Sequence, residues 1–118
     1  MTNKKRIEYD SLGQKKIDKD RLWGAQTQRS LENFKIGNET IPHEVIIALG
    51  KQKRAAALAN MELGLLNKKI GNQIIDACKK IINLDLINDF PLSVWQTGSG
   101  TQTNMNANEV ISNYVIKK

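Results

Sequence analysis

Apolar residues recur at helical spacing in two long stretches of the chain. The first stretch predicts a helix over about residues 42–64, with an apolar face that carries Val45, Leu49, Ala56 and Leu63. Pro42 suits the first turn of this helix, Thr40 is a candidate cap, and Gly64 suits its end. Ala55–Ala57 leaves little bulk, so we expect a neighbouring helix to approach closely there.

A second helix is predicted over about residues 67–86. Asn67 is its candidate cap, and its lysines lie mostly off the apolar stripe formed by Ile70, Ile74, Cys78, Ile81 and Ile82. Such stripes usually pack into a core. The segment Asn88–Pro91 then breaks the helical pattern.

Shorter elements are predicted at both ends of the chain. Residues 1–21 alternate weakly between polar and apolar positions around Gly13, which predicts a small β-hairpin. Thr27 is the candidate cap of a short helix over residues 28–34. Near the other end, an extended entry and a glycine loop lead into a helix that starts near Thr101. The chain is therefore expected to be mainly α-helical.

Composition and charge limit the classes of partner that the chain is expected to bind. The 118 residues suit one domain, and the formal net charge is +6. The lysines occur in scattered pairs with acids between them, and aromatic residues do not interleave with the basic ones. This distribution favours a solvated surface, or long-range attraction of small dianions, over a nucleic-acid groove. A free-standing basic helical module that binds nucleic acid stays open as an alternative.

The single cysteine and the single histidine do not form a catalytic pair. Cys78 lies among isoleucines and suits a small buried apolar role, whereas His43 falls near the start of the first long helix, where we expect it to be exposed. Without a partner for Cys78, no internal disulfide can form. The absence of a secretory signal and of a membrane span points to a cytoplasmic protein without membrane partners.

The segment Gly98–Thr101 is the strongest candidate for chemistry. A helix that begins after this loop leaves backbone N–H groups without intrahelical partners, and its dipole adds positive charge at the same end. Ser99 and Thr101 add hydroxyl donors, and Gly100 lets a ligand approach the backbone. These features predict a carboxylate or phosphate site. A plain loop with Thr101 as the helix cap is an open alternative.

The residues after this loop are polar but uncharged. Asn104, Asn106 and Asn108 suggest a polar wall at the start of the helix, with Met105 turned into the core. A P-loop is excluded because no lysine follows the second glycine. The dinucleotide fingerprint is excluded because its third glycine is absent.

Two blocks of sequence resemble class II fumarases. The segment Leu22–Phe34, with its Trp-Gly-Ala-Gln-Thr-Gln run, resembles the N-terminal block of these enzymes, and Trp95–Asn106 resembles their first active-site segment. Lys53–Ala57 and Phe90–Pro91 also fit. The related aspartate ammonia-lyases tend to differ at Trp95, Thr97 and Ser99, so an aspartase-like fragment is the second choice.

The resemblance implies a function in which fumarate and L-malate are interconverted by hydration, without metal or organic cofactor. It implies that Ser99, Gly100 and Thr101 bind a substrate carboxylate. The catalytic serine loop and the histidine-containing segment of the family lie further along the chain than residue 118, and His43 matches neither. Residues 1–118 are therefore expected to form an N-terminal lyase domain that stops before the central helical bundle.

Three further expectations follow from the resemblance. The 118-residue chain is expected to be inactive alone, since it carries no catalytic residue of the family. Full-length family members form homotetramers whose sites combine segments from three subunits. The third is held only as an alternative: exposed apolar helix faces, normally covered by the central bundle, make the fragment a dimer or an aggregate.

Overall fold

A computed structural model of the chain describes residues 4–33, 39–92 and 101–117. Two strands, β1 (Lys5–Asp10) and β2 (Gly13–Asp18), form an antiparallel hairpin that runs from the Lys5–Asp18 pair to the Asp10–Gly13 pair. Gly13 adopts a positive φ of 120° directly after the turn, which glycine tolerates best. The predicted hairpin is confirmed.

The first helix, α1 (Ala25–Asn33), differs from the prediction at its start. Thr27 is not its cap but lies inside the first turn, where it is buried and its hydroxyl donates to the Glu109 carboxylate at 2.6 Å. A side chain from a distant part of the sequence therefore takes the capping role that was expected from Thr27. Phe34, the predicted last residue of this helix, lies outside the described residues.

The long helix α2 (His43–Glu62) presents a different face to the core from the predicted one. Ile46, Gly50 and Ala57 are buried, whereas Val45 and Leu63 are 44% and 70% exposed. The predicted face is partly right, because Leu49 packs against the core, but Val45, Ala56 and Leu63 are exposed. Gly50, which carries no apolar side chain to signal burial, lies close to α3, since a Cβ added there would come within 2.9 Å of Ile82 Cγ1.

The ends of the helices follow the expected local rules more closely. Pro42 occupies the N-cap of α2, without the side-chain cap expected from Thr40, and Gly64 follows the helix with a φ of 73°. Asn67 caps α3 (Lys68–Ile82) by accepting from the backbone N–H groups of Lys69 and Ile70. This helix ends at Ile82, four residues before the predicted boundary.

A short 3₁₀ turn (Ile87–Asp89) leads towards α4 (Thr101–Ile116), whose start is confirmed. Buried residues of α3 and α4 form most of the core with help from α2 and Phe90; its main members are Ile46, Ala77, Cys78, Ile81, Phe90, Ala107, Val110, Ile111 and Tyr114. The mainly α-helical fold with a small N-terminal hairpin is confirmed. Of the helices in the described ranges, none is long and apolar enough to cross a membrane.

Candidate carboxylate site

The start of α4 is the part of the predicted site that the structure describes. Thr101 is the first residue of this 16-residue helix and is exposed to solvent. Ser99 and Gly100 lie outside the described residues, so their part in the site stays a prediction from sequence. A helix of this length carries positive partial charge at its N-terminal end, which favours an anion.

Lys53 joins the start of α4 to α2. Its ammonium donates to Asn104 Oδ1 at 2.6 Å. Because an ammonium has only donors, the Asn104 amide must turn its oxygen to Lys53 and its NH₂ group away from it. Asn104 follows Thr101 by three residues, so the two side chains share one face of α4. The sequence drew attention to Lys53 only through the fumarase resemblance, because nothing in its local pattern indicates this distant partner.

The asparagines do not form one polar wall. Asn106 is 1% exposed and donates to the backbone oxygen of Asp89 at 2.9 Å, so it fixes the segment before α4 rather than facing a ligand. Asn108 is exposed. Met105 is only half-buried and lines two surface cavities. Helical geometry separates these neighbours, because successive residues point about 100° apart around the helix.

A cavity of about 350 Å³ lies beside Thr101, between the hairpin turn, α1 and the start of α4. We call it the α1–α4 cavity; its walls are formed by Asp10, Ser11, Leu12, Gln26, Arg29, Ser30, Asn33, Thr101, Gln102 and Met105. Its volume falls in the range of small-molecule sites. No local sequence pattern predicts this cavity, because three separate segments form it.

The two charged residues of this cavity neutralise each other. Arg29 donates to Asp10 through Nε at 2.7 Å and through a terminal guanidinium nitrogen at 2.9 Å. The hydrogen bonds from Arg29 lower the pKa of Asp10, and the Asp10 carboxylate raises the pKa of Arg29. Both groups therefore stay ionised around neutral pH, and the pair leaves little net charge in the cavity.

Glu109 holds α1 against α4. Its carboxylate accepts from the backbone N–H groups of Gly24, Gln26 and Thr27 at 3.0–3.1 Å and from the Thr27 hydroxyl. A Cβ added to Gly24 would lie 2.6 Å from Glu109 Oε2, so glycine is needed for this approach. The negative charge sits at the positive end of α1, as the helix dipole favours.

The remaining sequence candidates are placed as expected. Cys78 is fully buried, and burial raises the pKa of its thiol, which suits a packing residue rather than a nucleophile. His43 is exposed as the first residue of α2. Within the described ranges, no group of three or more His, Cys, Asp or Glu side chains is arranged to hold a metal ion.

Comparison with known proteins assigns the chain to a family. The model of the lyase family matches residues 13–118. The chain is 56% identical over 108 residues to a class II fumarate hydratase of Helicobacter pylori J99, covering 92% of this chain and 23% of that protein. It is 55% identical over 118 residues to the class II fumarate hydratase of Prochlorococcus marinus, covering 100% of this chain and 26% of that protein.

Solved structures agree with this assignment. The recombinant class II fumarase of Schistosoma mansoni superposes with a TM-score of 0.92 at 42% identity, covering 95% of this chain and 24% of that one. A fumarate lyase:delta crystallin protein of Brucella melitensis superposes with a TM-score of 0.90 at 39% identity, covering 97% of this chain and 27% of that one. The chain belongs to the lyase family, and its resemblance to class II fumarases is confirmed. It spans about a quarter of the length of the curated relatives that it matches.

Proposed function

We propose that the chain is the carboxylate-binding segment of a fumarate hydratase, an enzyme that interconverts fumarate and L-malate by reversible hydration. The observation that carries the proposal is the start of α4 at Thr101, directly after the Gly-Ser-Gly sequence, in a chain of the lyase family. The residues proposed to bind the substrate carboxylate are Ser99, Gly100 and Thr101.

Physical chemistry supports this use of the helix start. Hydration of fumarate places negative charge on one carboxylate as the intermediate forms, and fixed donors lower the energy of such charge. The start of a helix and its dipole favour an anion, and the sequence places the hydroxyls of Ser99 and Thr101 at this end. Asn104, held by Lys53, lies on the same face of α4 as Thr101. We assign no metal or organic cofactor to this reaction.

Activity is expected only when the segment is combined with the rest of such an enzyme. We expect the purified 118-residue chain to show no hydration of fumarate, measured by its ultraviolet absorbance. A chimera of the Helicobacter pylori relative, with its matching segment replaced by this chain, supplies the remaining residues. Turnover by the isolated chain near the rate of the chimera would contradict the proposal.

The site is tested by replacing both hydroxyls in the chimera. We expect Ser99→Ala with Thr101→Ala to lower kcat/KM by about 100-fold or more, because each hydrogen bond to a carboxylate contributes roughly 1.5–3 kcal/mol. Ser112→Ala, an exposed serine on the same helix, is the matched control. An unchanged kcat/KM in the folded double variant would remove these residues from the site.

Two other functions are kept as alternatives. An aspartate ammonia-lyase would release ammonia from L-aspartate in the same chimera. A nucleic-acid-binding module would retain a random oligonucleotide in a salt-sensitive manner. Surface ion pairs such as Lys5–Asp18 and Lys15–Glu32 use some of the basic side chains within the chain, which favours the hydratase over the nucleic-acid alternative.

The partners and location follow from the same proposal. The small-molecule partner is a dicarboxylate, and the assembled enzyme is proposed to be a homotetramer in the cytoplasm. The buried Cys78 thiol fits a reducing compartment. An apolar groove between α2, α3 and α4 offers a surface that such an assembly would cover.

A further inference from the structure

The hairpin has an open backbone edge on β1. The Lys19 N–H donates to the Lys4 carbonyl at 2.8 Å, and hydrogen-bonded pairs alternate with non-hydrogen-bonded pairs along an antiparallel ladder. Lys5, Ile7 and Tyr9 therefore direct their N–H and C=O groups away from β2. In the part of the chain that the structure describes, no other backbone group pairs with them. A row of such groups is a template for pairing with another strand.

The surroundings of the hairpin favour pairing at β1 over pairing at β2. α1 packs more against β2 than against β1, and β2 carries the adjacent lysines Lys15 and Lys16, which oppose edge pairing. Beside β1, a cavity of about 290 Å³ is lined by Tyr9 and, on α4, by Met105. Ile7 is 49% exposed and Tyr9 is 69% exposed, so a strand placed here would cover apolar surface.

The sequence of β1 is complementary to a second copy of itself. In an antiparallel pair, residues whose N–H and C=O groups point outward must face each other. When Ile7 faces Ile7 of the second copy across a two-fold axis, Lys5 faces Tyr9 and Arg6 faces Glu8. Opposite charges then meet in the closely spaced pair, and the ring of Tyr9 can cover the stem of Lys5.

The neighbouring registers bring like charges together. A shift that keeps the outward groups aligned moves one strand by two residues, so that Arg6 faces Arg6 in one direction and Glu8 faces Glu8 in the other. Like charges directly opposite each other destabilise a sheet. Within one strand, Arg6 Nε donates to Glu8 Oε2 at 2.9 Å, so both side chains lie on the same face of β1. In the register centred on Ile7, two such pairs form a cluster of alternating charge.

We propose that the open edge of β1 is a self-association surface, on which two copies of the chain pair their β1 strands antiparallel about Ile7 and form a four-stranded sheet. The inference goes beyond the proposed function, because it requires no substrate site. It is also distinct from association through the groove between α2, α3 and α4, since β1 and that groove share no residue.

Amide hydrogen exchange, followed by NMR on the parent 118-residue chain, tests the pairing. We expect the Ile7 and Tyr9 amides to exchange more slowly as the protein concentration rises, because they become hydrogen-bonded only in the dimer. The Arg6 and Glu8 amides already pair within the hairpin, so their exchange should change less. If Ile7 and Tyr9 exchange equally fast at every concentration, the inference is wrong, even if the mass of the chain rises through another surface.

A charge at the centre of the strand pair provides a second test. We expect Ile7→Glu to raise the dissociation constant of the dimer by about 5-fold or more, because the two carboxylates would face each other across the axis. In the monomer, position 7 lies opposite Lys16, so the substitution adds a favourable charge pair to the hairpin. Leu12→Glu, at a turn residue that is 77% exposed, is the matched control.

Both variants are made in the Ile70→Lys chain, which reduces association through the groove, and sedimentation measures the dissociation constants. An equal effect of Ile7→Glu and Leu12→Glu, or no effect of Ile7→Glu, overturns the inference. Neither result bears on the proposed function, which is tested separately by the activity of the chimera.

Discussion

Glu109 caps α1, a helix that lies far from it in sequence. It lies 82–85 residues away from the α1 groups that it caps, and it satisfies three backbone donors and one hydroxyl. Local sequence rules looked for the cap of α1 in Thr27, the nearest residue of the right type. A carboxylate from α4 takes that role because it can approach several N–H groups at once, which a single threonine hydroxyl cannot.

Replacing this carboxylate should destabilise the chain. We expect Glu109→Gln to lower the free energy of unfolding by about 1–3 kcal/mol, because the amide turns two N–H donors towards a helix start that itself only donates. Urea denaturation of the 118-residue chain measures the change. Glu62→Gln, at an exposed glutamate on α2, is the matched control. Equal stability of the two variants would show that the cap contributes nothing.

Asp89 is a buried carboxyl group whose ionisation opposes folding. It is 7% exposed, and burial raises its pKa above the ordinary value of 3.8, although the Leu22 N–H donates to it at 2.9 Å. Arg21, Lys117 and Arg6 lower the pKa but do not outweigh burial. The folded chain therefore binds this proton more tightly than the unfolded chain does, so stability falls as pH rises through the folded-state pKa.

Replacing Asp89 by asparagine should remove this loss of stability at higher pH. Asp89→Asn keeps an oxygen that can accept from the Leu22 N–H but cannot ionise, so we expect a free energy of unfolding at pH 7 at least equal to that of the parent. The free energy of unfolding of this variant should also fall less than that of the parent as the pH rises above about 4. Thermal or urea unfolding across that pH range measures both. Asp85→Asn, at an exposed aspartate nearby, should not change the pH profile in this way.

At the scale of elements, Gly50 sets the contact between α2 and α3. A Cβ at this position would lie 2.9 Å from Ile82 Cγ1 and 3.1 Å from Ile81 Cγ2. Ala57, the last residue of the Ala55–Ala57 run that the sequence singled out, is buried on the same side of α2 as Gly50, whereas the sequence did not single out Gly50. Periodicity places residues on a helix, whereas the partner helix decides which of two adjacent faces is covered.

Alanine at position 50 should therefore destabilise the chain in spite of its helix propensity. We expect Gly50→Ala to lower the free energy of unfolding by about 1–2 kcal/mol, because steric overlap of roughly 1–3 kcal/mol exceeds a propensity gain of about 1 kcal/mol. A double-mutant cycle with Ile82→Ala isolates the overlap. In the Ile82→Ala background, alanine at position 50 should be neutral or stabilising, and an equal loss in both backgrounds would contradict this explanation.

At the scale of the whole molecule, the amount of exposed apolar surface determines whether the chain associates in solution. A groove of about 450 Å³ runs between α2, α3 and α4 and is lined largely by apolar side chains, among them Leu66, Ile74 and Ile111. Near it in sequence, Leu65 is 75% exposed and Ile70 is 46% exposed. Apolar surface of this kind favours association.

We accordingly expect the isolated 118-residue chain to self-associate, with a weight-average mass that rises with concentration in light scattering. Ile70→Lys should reduce this rise, because it places a charge in the groove. Val45→Lys is the matched control, since Val45 is similarly exposed, at 44%, near the other end of α2. A strictly monomeric parent chain, or an equal effect of both substitutions, would show that the groove does not mediate association.

The sequence alone determined the features that depend on neighbouring residues. Local geometry accounts for the hairpin around Gly13, the Asn67 cap, the end of α2 just before Gly64 and the start of α4 at Thr101. The two fumarase-like blocks identified the family. Ser99 and Gly100, which complete the predicted site, lie outside the described residues and stay predictions.

Only the tertiary structure decided which distant groups meet. Four features join residues that are far apart in sequence. They are the Glu109 cap of α1, the hydrogen bond from Lys53 to Asn104, the contact at Gly50, and the cavity lined by Ser30 and Gln102. Hydrophobic periodicity fixes an apolar side of a helix to within about one residue. Packing, hydrogen bonding and burial of the whole chain then select the face that is covered and the polar groups that are paired.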